Sequence, residues 1–278
     1  MSPSSRFWSA PAALVACLLT THSVQTRAQW LNYPTPAVPR LPDGKVNLNA
    51  PTPRQSSHKP DLSGVWYPNI VASDPSRKNA DGPTLGEDAV VRLRTADGSP
   101  IPFLPAAQQM FEERRRIGEA GPASQCLPHT VVDSMLVPSP FKFLHTAGVT
   151  IILFEEYNQF RQIFTDGRTF PPTMQPAWFG YSIGRWEGDT FVVESRGFND
   201  RGWLDVASPI HHGEHEHVIE RFRRLNVGTL QLQVSVDDPT VFSRTWESQI
   251  LSFRLLPDTD FIENICENEK DARHSAGK

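Results

Sequence analysis

From Val149 onward apolar and polar residues alternate with a period of two, and turn residues interrupt the alternation at regular intervals, which is the signature of successive antiparallel strands. VTIILFEE turns at Tyr157-Asn158 into QFRQIFT, and Asp166-Gly167-Arg168 ends that pair. YSIGRWE and TFVVESR flank the tripeptide Glu187-Gly188-Asp189, whose glycine supplies the positive φ of a tight hairpin. HVIERFRRL turns at Asn226-Val227-Gly228 into TLQLQVSV, and Asp237-Asp238-Pro239 leads into VFSRTWESQILSFRLL. The β-branched and aromatic content of these runs suits a pleated, half-buried surface. Strands this close together, with almost no helix between them, predict a mainly β fold: an antiparallel meander closed as a barrel, since an open sheet would leave unpaired edges.

The pattern changes upstream. AAQQMFEERRRIGEA, about Pro105 to Glu119, is built of good helix formers and stopped by Gly121-Pro122, so one peripheral helix is expected there. Residues 67–103 are broken by Asp, Gly and Pro and read as loop, while core sequence begins at Asp61-Leu62-Ser63-Gly64-Val65-Trp66. Seven prolines between Pro34 and Pro60, with few apolar groups, predict an extended N-terminal arm over residues 29–60, draped on the domain. The domain itself is assigned to residues 61–270, with a disordered tail over 271–278.

Arg6 followed by an apolar run from Phe7 to Leu19 and a polar stretch ending Thr26-Arg27-Ala28 reads as a signal peptide of residues 1–28, cleaved before Gln29. The run is shorter than the roughly 20 residues of a membrane span. Leu14-Val15-Ala16-Cys17 offers a second processing route, lipidation at Cys17. A periplasmic or secreted location follows from either. The remaining cysteines, Cys126 and Cys266, are then placed where disulfides persist, and a bridge between them is expected, two buried thiols being the alternative. A net charge of -4 without Lys/Arg clusters argues against nucleic acid or an anionic membrane as partner and leaves a small molecule.

Two resemblances add to this reading. Gly64-Val65-Trp66 resembles the Gly-x-Trp at the start of lipocalins and other calycins, where the glycine bends the chain and the tryptophan closes the barrel floor. PDLSGVW, Cys126 to Pro128, PFKF at Pro140 to Phe143, FTDGR, IGRWEGDTFVV, GFND with WLD, ERFRR and ENICEN together resemble a family of secreted bacterial proteins of unassigned function, over nearly all of the chain after the signal. That likeness implies export and a lipocalin-like barrel, without a reaction. His145 after PFKF and the histidine-rich stretch before ERFRR depart from its usual pattern.

Charged groups inside strand runs are the candidate chemistry. Arg185, Glu194 and Arg196 either line a polar cavity or face water. Glu155 and Arg161 can meet across their hairpin, as an internal ion pair that anchors a polar ligand head or as a surface pair. In HHGEHEHVIERFRR, His217, Ile219, Arg221 and Arg223 share one strand face, opposite Val218, Glu220 and Phe222. An imidazole at His217 entering the cavity would serve as general acid or base, with Tyr181, Glu220 or the loop carboxylate Asp200. Since His217 and Glu220 alternate, both point inward only if a bulge intervenes. Trp178 and Trp203, in loop-like stretches near Asp200, join Arg161, Glu155 and Arg221 as ligand contacts at a barrel mouth. The expected function is therefore a cofactor-independent acid-base enzyme of lyase, isomerase or cyclase type. The alternatives are a non-catalytic carrier, or a hydrolase using a divalent metal such as zinc on His212, His215 and His217.

Overall fold

The computed structural model describes residues 33–69, 93–205 and 208–266. The expected signal peptide, Cys17 and the C-terminal tail lie outside them, as do residues 70–92 of the loop-like stretch.

Nine strands close into a barrel. Around the ring, β1 (Gly64–Pro68) pairs with β2 (Phe141–Thr146), β2 with β3 (Val149–Phe154) and β3 with β4 (Gln159–Phe164). β5 (Tyr181–Glu187) and β6 (Thr190–Arg196) form the Gly188 hairpin; β6 then pairs with β9 (His217–Asn226), and β9 with β10 (Thr229–Asp237). β12 (Leu251–Leu255) joins β10 to β1 and completes the circle, while β11 (Trp246–Glu247) continues the same edge of β10 beyond it. β7 (Trp203–Asp205) and β8 (Ser208–His211) form a separate two-stranded ribbon. The one departure from an antiparallel meander is the seam between β4 and β5. It is parallel and only two residue pairs long, because the chain crosses from one end of the barrel to the other over residues 165–180 before β5 begins.

The registers distinguish two ends. At the floor, Gly64 has φ +132° and a Cβ there would lie 2.6 Å from Leu255 Cδ1, so only glycine lets the chain turn in beside β12. Trp66 is fully buried and donates Nε1–H to Leu62 O at 2.9 Å. The Arg224 guanidinium lies over its ring, 4.8 Å from the centroid, and donates to the carbonyls of Asp61, Ser63, Asn226 and Val227. Burial pulls the pKa of Arg224 down to about 10, so the charge is retained at neutral pH. The arm packs under this floor: Val227 donates N–H to Ala50 O, Gly228 to Leu48 O, and Arg54 forks onto Asp189 at 2.7 and 2.9 Å.

Rings fill the barrel's interior above the floor. Phe143 of β2 meets Phe222 of β9 edge-on across the lumen at 5.2 Å, and Phe141 meets Phe253 at 5.0 Å. At the other end, the mouth, residues 129–137 run inward as a stopper, all of them buried, with the single turn α2 (Asp133–Leu136) at its tip. The peripheral helix α1 (Pro105–Ile117) lies against β8 and ends at Gly118 in the left-handed conformation, close to the expected boundary. A disulfide joins Cys126 to Cys266, as expected for a chain of an oxidising compartment. It holds the C-terminal segment along β2 and β3, where Lys142 pairs with Asp260 at 2.9 Å and Ile262 donates N–H to Glu155 at 3.2 Å. Among the described residues no helix is long and apolar enough to cross a membrane.

Candidate functional site

Alternation along β9 sends Val218, Glu220, Phe222 and Arg224 inward and His217, Ile219, Arg221 and Arg223 outward. No bulge falls between His217 and Glu220, so the inward imidazole expected at position 217 is not formed. His217 stands on the outer wall, 3.6 Å from Glu194 and 3.5 Å from Arg196, and burial and the Arg196 charge push its pKa down. Arg221 is likewise outside and donates to Ser235 Oγ at 2.8 Å. The hairpin charges face out too: Arg185 bridges Glu187 at 2.8 Å and Glu194 at 2.6 Å. Tyr181 is external as well, stacked on Phe164 at 5.0 Å and accepting a hydrogen bond from Arg168 at 3.1 Å.

Arg161 does point inward, but its partner is Glu220 and not Glu155. The guanidinium crosses under β5 and β6 and forks onto the Glu220 carboxylate, Nη1 to Oε1 at 3.0 Å and Nη2 to Oε2, with Nε on Ser182 Oγ at 3.2 Å and Nη2 on Ser195 Oγ at 2.8 Å. All four residues are at most 2% exposed. Each guanidinium nitrogen is matched by an acceptor of the protein, so Arg161 and Glu220 hold the wall strands in register and leave nothing for a ligand head. Glu155 sits outside under the C-terminal segment, its pKa raised by burial.

The mouth differs from this satisfied interior. His212 and Glu216 are both buried, at 0% and 1% exposure, and His212 Nδ1 lies 2.9 Å from Glu216 Oε1. A turn closed by Glu216 N–H on Gly213 O brings the two side chains together. The outer atoms of the couple, His212 Nε2 and Glu216 Oε2, have no hydrogen-bond partner among the described residues. Asp238, at the end of β10 and 1% exposed, presents an equally unpartnered Oδ2. A Cβ on Gly213 would collide with that oxygen, which fixes the Asp238 carboxylate against the His212–Glu216 turn. Burial raises the Glu216 pKa, and the Asp238 charge adds to the rise against the opposing pull of His212.

A second couple of the same spacing lies in the stopper. His129 Nδ1 is 2.6 Å from Asp133 Oδ2, its Nε2 is 3.3 Å from Glu156 Oε1, and its ring stacks on Tyr157 at 5.6 Å. Burial opposes the imidazolium charge, but the two carboxylates outweigh it and hold the His129 pKa up at about 10. The couples adjoin at Gly202, where a Cβ would strike the Thr130 methyl and stand 3.4 Å from His212 Cδ2. Thr130 donates Oγ–H to Trp203 O at 2.7 Å, tying the stopper to the β7–β8 ribbon.

Of the aromatic residues expected at the mouth, Trp203 is buried under Arg114 at 5.7 Å, and Trp178 is half-buried beneath Arg201 at 5.4 Å. Asp200 is exposed, with its charge felt at His211. His212 belongs to the mouth, whereas His215 is exposed on the turn and His217 is on the outer wall, so the expected metal set does not assemble; among the described residues no three acidic, histidine or cysteine side chains converge to hold a metal ion. Asp238, His129, Asp133 and Glu156 were not anticipated. The available signal was the repeated spacing of a histidine with a carboxylate four residues on, at 129/133 and 212/216. Comparison of the chain with models of known protein families, with curated proteins and with solved structures finds no match.

Proposed function

We propose that the protein is an exported enzyme acting by proton transfer on a small, partly apolar molecule, of lyase, isomerase or cyclase type, with the barrel mouth as its working end. The observation that carries this reading is the buried His212–Glu216 couple whose Nε2 is unpartnered. In the tautomer whose Nδ1–H donates to Glu216, Nε2 bears the lone pair of a general base, and the carboxylate stabilises the imidazolium that forms on proton uptake. Phe198, whose ring centroid lies 4.4 Å from that of His212, supplies an apolar wall. Export is supported by the N-terminal signal pattern, the disulfide and the resemblance to secreted bacterial proteins. A carrier using the lumen is less well supported, because rings meet across it and its ion pair is internally matched.

The test is turnover without added cofactor. Purified protein is incubated with a fractionated extract of small apolar metabolites and followed by mass spectrometry. A substrate is expected to be replaced by a product of equal mass, or by two products of the same total mass. His212→Gln should slow this by about 100-fold or more, the usual scale of general acid-base catalysis. Equal rates in the variant would remove His212 from the reaction, and stoichiometric capture without product would make the protein a carrier.

A further inference from the structure

The His212–Glu216–Asp238 cluster is matched to one chemical class of ligand. Its unpartnered atoms are acceptors: Glu216 Oε2, Asp238 Oδ2 and, in the tautomer described above, His212 Nε2. His211, half-buried on the adjoining β8, adds an unpartnered Nδ1, and burial and the Arg114 charge push its pKa down against the pull of Asp238. A buried acceptor left unpaired is destabilising, so several gathered at one turn and the strand end beside it describe a site waiting for donors. No donor among the described residues reaches Glu216 Oε2 or Asp238 Oδ2: Arg114 lies 3.5 Å from Glu119 and over the Trp203 face, and its Nη1, itself unpartnered, bonds neither carboxylate. Two carboxylates held close together also favour a ligand that brings positive charge. Among the described residues no three acidic, histidine or cysteine side chains converge to hold a metal ion, whereas an ammonium group needs acceptors only from Glu216 and Asp238.

We propose that Glu216 and Asp238 form the subsite for an ammonium group of the substrate, a primary or secondary amine carried as its cation, with His212 placed to take a proton from the neighbouring atoms. This rests on the acid-base reading above and names its substrate class. Gly213 is part of the device, because any side chain there would displace the Asp238 oxygen from the turn. Asp238 is suited to the task in a second way. Its other oxygen, Oδ1, accepts from Thr240 N–H at 2.8 Å and from the Thr240 hydroxyl at 2.6 Å, which fixes the carboxylate and leaves Oδ2 for the ligand.

The test uses the intact protein, isothermal titration and three probes: n-butylammonium, tetramethylammonium with charge but no N–H, and n-butanol with a donor but no charge. Butylammonium is expected to bind at one site at least tenfold more tightly than either control. Asp238→Asn, which keeps the Oδ1 acceptor, should weaken it about tenfold or more, as expected for a hydrogen bond to a charged group. Equal binding of butylammonium and tetramethylammonium, no binding of any probe, or an unchanged affinity in Asp238→Asn would each overturn the proposal. If Asp238→Asn does not fold, the carboxyl carbon resonances of Glu216 and Asp238 in the wild-type protein decide: both must shift with butylammonium and neither with tetramethylammonium. His212→Gln separates the two readings. Ammonium binding retained with turnover unchanged defeats the acid-base assignment alone, and turnover lost in a protein that never bound the amine defeats the subsite alone.

Discussion

The interior of the barrel and its mouth both bury a carboxylate against a nitrogen base, and they treat their polar atoms in opposite ways. At Arg161–Glu220 each guanidinium nitrogen has a protein acceptor, supplied by Glu220, Ser182 and Ser195. At His212–Glu216 the couple is formed but its outward atoms and Asp238 Oδ2 are unmatched. A saturated buried network stabilises one arrangement of the chain and has no capacity for a ligand. An unsaturated one is destabilising by itself, and a fold retains it where something else completes it. Charged side chains within strands are therefore informative only once their partners are known.

The largest effect should come from breaking the saturated network. Arg161→Met leaves Glu220 buried without its cation, for a loss of about 3–5 kcal/mol in denaturant unfolding, while Arg161→Met with Glu220→Met recovers most of it. Equal destabilisation by single and double variants would mean that packing, and not the charge pair, holds β4 to β9. Next in size is the disulfide: Cys126→Ser with Cys266→Ser should cost about 2–5 kcal/mol, seen as a lower melting temperature that reductant no longer changes.

Gly213→Ala follows. It should cost about 1–3 kcal/mol as an overpacked buried site and shift the Asp238 carboxyl resonance, whereas Gly188→Ala, strained by its own φ of +58°, should leave Asp238 unmoved. The pH dependence of stability sharpens the contrast further. The folded-state pKa of Glu216 is raised, so its contribution is fully present below the ordinary carboxyl value near 4.5 and is lost as pH rises through the folded value. His129 is raised as well, from 6.5 to about 10, so its contribution is fully present below pH 6.5 and is lost progressively as pH rises from there towards 10. Glu216→Gln should therefore flatten the decline that begins in the acid range, and His129→Gln the decline above pH 6.5, in unfolding free energies measured from pH 4 to 10. An unchanged slope in either variant would show that its carboxyl or imidazole does not titrate differently on folding.

How much of this was legible in the sequence follows from the range of the interactions. The hairpins, the closure, the helix from Pro105 and the bridge from Cys126 to Cys266 rest on local alternation, turn residues and compartment, and the chain folds accordingly. Alternation also separates His217 from Glu220 correctly, but it does not say which face is inside. The inward face is set by Val218, Phe222 and Arg224 packing on rings from distant strands, and that choice sent His217 outward. Arg161 lies 59 residues from Glu220, and Asp238 is brought to Gly213 only by the pairing of β9 with β10. The parallel seam at β4–β5 escaped for the same reason, since the crossing over residues 165–180 carries no periodicity.

The smallest effect is expected at His217, and it separates outer wall from mouth most directly. Its side chain and that of Glu194, 22% and 21% exposed, stand 3.6 Å apart, and such partly exposed pairs contribute about 0–1 kcal/mol. His217→Ala should change unfolding free energy by less than about 1 kcal/mol and leave both amine binding and turnover intact, whereas His212→Ala abolishes turnover. The depressed pKa of His217 makes the difference smaller still above neutral pH, where the imidazole carries no charge for Glu194 to attract. A loss of turnover in His217→Ala comparable to that in His212→Ala would mean that the outer wall, with Arg196 and Glu194, carries the chemistry, and that the unmatched atoms at the mouth belong to a structural water site instead.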